Sequence, residues 1–236
     1  MRIWDLNPGY LNRQSLLGEH RELHGIVSII ANHKSGYSRH PETLRWVGHG
    51  WALRQRHGLL AAEMALRGYT DRSPVDLAGR EGIWPAIYID EPARQLQILG
   101  TKYRDKEQGR IPLPASAQQL WSQHKYSVLA RDAAFYRRLG PDVAAIRPGD
   151  DFAELARVLV ELLRQPPAVG GLRNALQHMW GHVSEHSVVP KGEVDSWSLQ
   201  RLLKEIQHRA LACGEPYLLA STALSELAAW LPEAEA

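Results

Sequence analysis

The side chains best equipped for proton transfer stand next to one another near the N-terminus. Glu19, His20, Arg21 and Glu22 are consecutive, so two carboxylates and an imidazole lie beside a permanent cation. Such groups can act as general acids and bases in a reaction that moves protons. On a helix, however, a run of charged residues usually forms a solvated face. Residue types alone therefore leave both a catalytic role and a surface role open for this segment.

Three histidines later in the chain, His178, His182 and His186, follow one another at intervals of four residues. Two histidines at i and i+4 on a helix can share a metal ion. A third at i+8 lies about 12 Å along the axis from the first, so a straight helix cannot bring all three to one ion. We therefore expect an exposed or packed histidine stripe and predict no metal site. A nuclease or hydrolase with a metal at this stripe is an alternative, and it would lose activity in a chelator.

The elements that must position these groups are helices, because apolar residues recur every three or four positions through most of the chain. Residues 74–118 are rich in proline and glycine and are predicted to be mainly loop. We predict helices over residues 12–32, 41–48, 51–67, 116–139 with an interruption near 131–132, 151–164, 171–187, 197–212 and 216–230. Gly68 is expected to close the third of these helices.

These helices predict an all-α fold in two parts. A turn-forming stretch from Gly140–Pro141 to 147–150 indicates a linker. We expect a compact helical domain over residues 1–143 and a second, smaller helical domain over residues 150–236.

Charge divides the chain at the same place. Residues 1–143 carry 20 Lys and Arg, most of them Arg, against 14 Asp and Glu, whereas residues 144–236 carry 8 against 12. A part dominated by arginine favours a polyanionic partner, because the planar guanidinium can form two parallel hydrogen bonds with a phosphate. An arginine-rich solvated surface gives a similar balance, so charge alone does not identify the partner.

Composition excludes several classes of protein. Hydrophobic residues make up 44% of the chain and the net charge is +2, unlike a disordered protein. The single Cys213 excludes a disulfide framework and a multi-thiolate zinc site. No apolar run approaches the roughly 18 residues of a membrane span, and the N-terminal residues lack the apolar segment of a secretory signal. We expect a reduced cytoplasmic protein without a membrane partner, associated with the nucleoid if it binds DNA.

Several segments of the N-terminal part resemble the pyrimidine-dimer DNA glycosylase family, of the phage endonuclease V type. They are Met1–Trp4, Leu16–Leu23, the turn from Gly36 to Pro41, Trp51–His57 and Ala61–Tyr69. This resemblance covers residues 1–75 and continues more weakly to 140. Residues 172–182 resemble the core of a small bacterial helical domain of unknown function, a likeness that covers about 150–230 and implies no activity.

The first resemblance implies a covalent mechanism at the N-terminus. Enzymes of this family attack C1′ of a damaged nucleotide with the α-amine of the first residue, expel the base, and break the strand by β-elimination from an imine. The register gives Met1 the nucleophile's position and Glu22 that of the catalytic carboxylate, and bulky Arg2 favours retention of the initiator methionine. An ordinary α-amine has a pKa of about 7.7–8.0, against about 10.4 for lysine, so little activation is needed. No metal or organic cofactor is expected.

DNA contacts close to this carboxylate follow from the same resemblance. Arg2 and Arg21 match family arginines near the scissile phosphates, which would hold the strand in register. We extend the predicted DNA surface to His20 and His24. A further family arginine is replaced here by Gly25, so the lesion that is recognised does not carry over from the family.

Three more residues are predicted to bind DNA. Arg54 and Arg56 stand in the matching segment Trp51–His57, and Lys125 stands in the run 121–126, where aromatic and basic residues alternate. Aromatic side chains stack on bases and cations contact phosphates.

The sequence therefore predicts a DNA repair glycosylase with abasic-site lyase activity, acting on double-stranded DNA with a base lesion or an abasic site. The alternative is a non-catalytic helical DNA-binding or adaptor protein, in which the basic part holds phosphates and the acidic C-terminal part holds a protein partner. Both predict salt-sensitive DNA binding. Only the enzyme predicts a covalent intermediate with DNA.

Overall fold

Helices account for nearly all regular structure in the computed structural model, which describes residues 1–147, 149–186, 189 and 192–232, with His186 described in its backbone alone. Within these residues there is no sheet, and the single β-bridge joins His49 to Gly79. The all-α prediction is confirmed. In chain order the helices are α1 Arg13–Ala31, α2 Pro41–Trp46, α3 Gly50–Leu66, α4 Pro92–Lys102, α5 Ala117–Leu129, α6 Ala133–Ala144, α7 Ala153–Leu163, α8 Val169–Gly181, α9 Leu199–Cys213, α10 Pro216–Leu219 and α11 Ala223–Glu226.

The helix that carries the predicted catalytic carboxylate begins and ends as its sequence indicates. The Asn12 side chain accepts a hydrogen bond from the backbone N–H of Ser15, which satisfies one of the free donors at the start of α1. Leu16, Leu23 and Ile26 are fully buried along one face. That face packs against α3, so the two helices form the framework of the N-terminal part.

Two segments differ from the predictions. The stretch 74–118 contains α4, which begins with Pro92 at its first turn, where a missing N–H costs nothing, and buries Leu96 and Leu99. Gly140 and Pro141, predicted to belong to a linker, lie inside α6. The predicted interruption near residue 131 is present, and Asp132 caps α6 with its side chain.

Buried apolar side chains form two clusters. The first is built on α1, α3 and α4, and the second on α8, α9 and α11, while α5 contributes to both. Helix α7 follows the predicted linker, yet its Leu159 and Val160 belong to the first cluster. The domain limits at residues 143 and 150 therefore remain a prediction.

A buried ion pair also ties α7 to the N-terminal segment. Arg164, which follows α7, donates from Nη2 to Oδ1 of Asp5 at 2.7 Å. The same oxygen is bound by Arg45, next to the end of α2, and Gln95 of α4 donates to Oδ2 at 2.8 Å. The Asp5 side chain is 3% exposed. Three separate helical regions thus fix the residues just after the N-terminus.

Helix length and polarity bear on the membrane question. Among the residues described, no helix combines the length and the apolar character that crossing a bilayer requires.

Candidate active site

The N-terminal segment lies along α1, and two carboxylates of α1 hold its backbone. The backbone N–H of Arg2 donates to Oε2 of Glu22 at 2.5 Å, and that of Trp4 donates to Oε1 of Glu19 at 3.2 Å. Glu19 and Glu22 are three residues apart and therefore share one face of the helix. The segment runs antiparallel to α1, and this direction brings the backbone of Met1 to the Glu22 carboxylate.

Glu19 anchors this arrangement from inside the protein. Its two oxygens accept hydrogen bonds from Nε and Nη2 of Arg56 at 2.7 and 2.8 Å, and Nη1 of Arg56 donates to the Leu6 carbonyl at 2.7 Å. Burial raises the pKa of the Glu19 carboxyl, and Arg56 opposes that rise. The Arg56 side chain is 3% exposed and its guanidinium is bound within the fold, so the structure gives it a structural role, and its DNA contact stays a prediction.

A cleft of about 810 Å³ opens beside Glu22. Its charged lining comprises the basic residues Arg2, Arg13, Arg21, Lys102 and Lys106 and the carboxylates Glu19, Glu22 and Glu107. All of these basic residues except Arg2 are exposed. A positive lining attracts the phosphates of a nucleic acid. The volume falls within the roughly 300–1,000 Å³ that is typical of small-molecule sites.

The guanidinium of Arg2 is fixed at the edge of this cleft. Its Nη1 pairs with Oδ2 of Asp90 at 2.5 Å, and its central carbon lies 4.5 Å from the centre of the Trp4 ring. Within the described part of the chain, Nε and Nη2 are buried and have no hydrogen-bond partner.

The remaining basic residues predicted to bind DNA divide between the cleft and other surfaces. Arg21 lines the cleft, whereas Arg54 is exposed on α3 and does not line it. Lys125 lies on α5, where its ammonium group covers the rings of two tyrosines at 4.9 and 4.3 Å. Burial lowers the pKa of Lys125. The structure therefore brings Arg21 to Glu22, and it brings neither Arg54 nor Lys125 there.

His20 and His24 are not presented to a DNA strand. The Nε2 atoms of both are buried, and the two rings contact each other with centres 4.6 Å apart. Both rings also contact His57 of α3, at 5.2 and 5.0 Å. Burial lowers the pKa of His24 and of His57, which favours neutral imidazoles. These nitrogens turn towards α3, and the DNA-binding role of His20 and His24 stays a prediction.

The C-terminal histidines occupy separate environments. Nε2 of His182 lies 2.7 Å from the Tyr126 hydroxyl, and its ring stacks on Tyr217 with centres 5.0 Å apart. His178 is exposed, and the side chain of His186 lies outside the described residues. The described members of the stripe therefore do not share a ligand position.

Sequence reasoning missed Arg13, Lys102 and Lys106, which line the cleft, and Asp90, which holds the cleft residue Arg2. Lys102 ends α4 and Lys106 follows it, so both depend on a helix that the proline-rich stretch concealed. The sequence did contain a signal for this helix. A proline at the first turn, here Pro92, followed by apolar residues at intervals of three, is typical of a helix start. Asp90 carried no signal, because its role arises only from contact with Arg2.

Two families of known proteins match separate parts of the chain. Residues 1–77 match the family described as pyrimidine dimer DNA glycosylase, and residues 125–227 match the family described as protein of unknown function (DUF1722). Both resemblances seen in the sequence are confirmed, and the first match supports DNA glycosylase activity of the pyrimidine-dimer type. No curated protein and no solved structure was found to match the chain.

Proposed function

We propose that this protein is a DNA glycosylase of the pyrimidine-dimer type with abasic-site lyase activity, and that the α-amine of Met1 is its nucleophile. The observation that carries the proposal is the hydrogen bond from the Arg2 backbone to Glu22, which joins the first peptide unit to a carboxylate at the cleft. The family match of residues 1–77 supports the glycosylase class. The basic lining of the cleft supports DNA as the substrate.

The reaction begins when the amine nitrogen forms a bond to C1′ of the damaged nucleotide. The glycosidic bond breaks and the base leaves with its electron pair and then takes up a proton. Breaking the C1′–O4′ bond, with a proton going to O4′, opens the sugar and gives an imine between Met1 and C1′. The protonated imine acidifies C2′, so loss of a C2′ proton expels the 3′ phosphate and cleaves the strand. Water then hydrolyses the imine and releases the amine.

Glu22 has two roles in this scheme. Its negative charge stabilises the cationic sugar and the protonated imine, since a fixed carboxylate beside a developing positive charge lowers the barrier. It also moves protons during elimination, at O4′ and C2′. Arg2 and Arg21 contribute by holding the flanking phosphates, which keeps C1′ within reach of the amine.

Access to C1′ inside a duplex requires distortion of the DNA. Enzymes that act on a base usually take a nucleotide out of the stack, at a cost that is smallest for a damaged or unpaired base. The cleft volume of about 810 Å³ accommodates one such nucleotide. We infer that lesions which weaken stacking, such as a pyrimidine dimer or an abasic site, are the preferred substrates.

The test uses matched duplexes with one pyrimidine dimer, one abasic site or no damage. We expect strand cleavage at the dimer and at the abasic site and none in the undamaged duplex. Cleavage confined to the abasic site would reject the dimer specificity. Salt-sensitive binding without cleavage or covalent product would favour the adaptor protein instead.

Arg21 should contribute one phosphate contact to binding. We expect Arg21→Ala to weaken binding of duplex DNA and to reduce the slope of log K against log salt by about 0.9, the value for one phosphate. The measurement is a salt series of fluorescence titrations. Arg201→Ala, an arginine on α9 with its side chain 56% exposed, is the matched control and should leave the slope unchanged. An unchanged slope for Arg21→Ala would remove this residue from the interface.

A further inference from the structure

Four metal-ligating side chains meet on the far side of α1 from the cleft. They are His20 and His24 of α1, His57 of α3 and Asp71, which follows α3. Each offers one ligand atom, and the four atoms all lie within 4.8 Å of one another. His57 is 7% exposed, and the side chains of His20 and Asp71 are each 16% exposed. This His–Asp cluster is therefore largely withdrawn from solvent.

The nitrogens at the centre of the His–Asp cluster lack hydrogen bonds. Nε2 of His20, His24 and His57 is in each case buried without a hydrogen-bond partner in the described part of the chain. Asp71 is the one polar group within reach of Nε2 of His20 and of His57 in the described part of the chain, and Nε2 of His24 has no partner at all. Buried polar atoms in native proteins nearly always have a well-formed partner, and a bound cation would supply one to all three, because the lone pairs of neutral imidazoles are metal ligands.

The two shortest distances in the His–Asp cluster match those between ligands of a tetrahedral ion, and the longer ones, up to 4.8 Å, would shorten when the ion binds. Nε2 of His20 lies 3.2 Å from Oδ1 of Asp71, and Nε2 of His57 lies 3.3 Å from Oδ2 of Asp71. Zinc bonds to histidine nitrogen and carboxylate oxygen are about 2.0–2.2 Å long, which gives about 3.3–3.6 Å between two ligand atoms of a tetrahedron. Three imidazoles and one carboxylate are a ligand set that zinc accepts.

We propose that His20, His24, His57 and Asp71 bind one zinc ion that joins α1 to α3 and to the segment after α3. The ion would be structural, because all four tetrahedral positions are filled by side chains and none is left for water or substrate. A structural role also agrees with the position of the ion on the side of α1 away from Glu22. Glu22 is two residues from His20 and from His24, so it points about 200° away around the helix. This assignment replaces the expectation of a protein without metal, and it leaves the amine chemistry unchanged.

The sequence carried a partial signal for this site. His20 and His24 are spaced as a helical ligand pair and fall among the apolar positions of α1, and His57 occupies the corresponding face of α3. The missing information was that α1 packs against α3 with these faces together. Asp71 comes into range because Gly68 takes a positive φ of 82° and turns the chain back after α3.

The test is zinc binding by the full chain without a histidine tag, after treatment with a chelator and its removal. We expect one tightly bound zinc per chain, and cobalt in its place should give the intense visible bands of a tetrahedral ion. Zinc at 100 times its dissociation constant should raise the melting temperature by about 5–10 °C. Absence of a stoichiometric ion, or weak octahedral cobalt bands, would overturn the proposal.

Variants identify the ligands without relying on catalysis. Asp71→Asn and His24→Gln should each weaken zinc binding by more than about 100-fold, because loss of a supporting group alone costs about 10–100-fold. His33→Asn, at an exposed histidine just after α1, is the control and should bind zinc like the parent. His24 is only partly buried, so His24→Gln is expected to keep its helical circular dichroism without metal. Unchanged affinity in both ligand variants would overturn the assignment, and no DNA is needed for the measurement.

Discussion

Borohydride added while the protein acts on abasic DNA is expected to leave the protein covalently attached to the strand through Met1. The reagent reduces the imine to a stable amine, so only the nitrogen that formed the intermediate is trapped. Peptide mapping should find the adduct on Met1. The competing amines are those of Lys102 and Lys106, which line the same cleft, and of Lys34 and Lys125 elsewhere.

Two variants separate the α-amine from the lysines. An N-terminal extension that is not removed should abolish both trapping and cleavage, because it displaces the amine from Glu22 and adds bulk at the cleft. The same extension at the C-terminus should leave both intact. The double variant Lys102→Ala with Lys106→Ala should bind DNA less tightly and still be trapped. Efficient trapping of the N-terminally extended protein would show that a lysine is the nucleophile.

Glu22→Gln is expected to reduce strand cleavage of an abasic duplex by about 100-fold or more while the fold and most of the DNA affinity are kept. The amide retains an oxygen that can accept the Arg2 N–H, so the N-terminal segment stays in place. It lacks the charge that stabilises the cationic intermediate and cannot take up a proton, and losing such a group typically costs about 10²–10⁴-fold. Single-turnover cleavage measures the chemical step directly.

Glu107→Gln is the control for this result, because Glu107 is another carboxylate that lines the cleft. Its charge contributes to the same local field, but within the described part of the chain its side chain forms no hydrogen bond with the N-terminal segment. We expect cleavage by this variant to stay within a few-fold of the parent. Equal losses for the two variants would mean that the field of the cleft matters and that Glu22 has no special role.

Much of the fold could be predicted because α1 and α3 have clear apolar periodicity and recognisable ends. Asn12 caps the first helix and Gly68 closes the other, as the sequence indicates. Helix α4 was missed, since it lies in a stretch rich in proline and glycine, which are also typical of loops. The sequence pattern of a short helix does not show which of its faces is buried, because that depends on the helices that pack against it.

The candidate active site could be predicted only in part from the sequence. The relation of Met1 to Glu22 rests on register in sequence, and the hydrogen bond at Arg2 supports it. The contacts of Arg56 and His20 inside the fold were not foreseen, because a charged or polar residue on a helix is taken to be exposed unless its buried partner is known. Those partners, Glu19 and His57, lie 37 residues away in each case and could be identified only from the packing of two helices.

The ion pair between Asp5 and Arg164 bears on how far the chain can be shortened before the N-terminal part loses contacts. Arg164 and the packed residues of α7 belong to the region 125–227 that matches the family of unknown function. A gene fragment ending at residue 77 or 143 would encode the amine and Glu22 but leave Asp5 without one of its arginines and the first apolar cluster without Leu159 and Val160. Residues of the region matched by the second family thus complete the packing of the first apolar cluster.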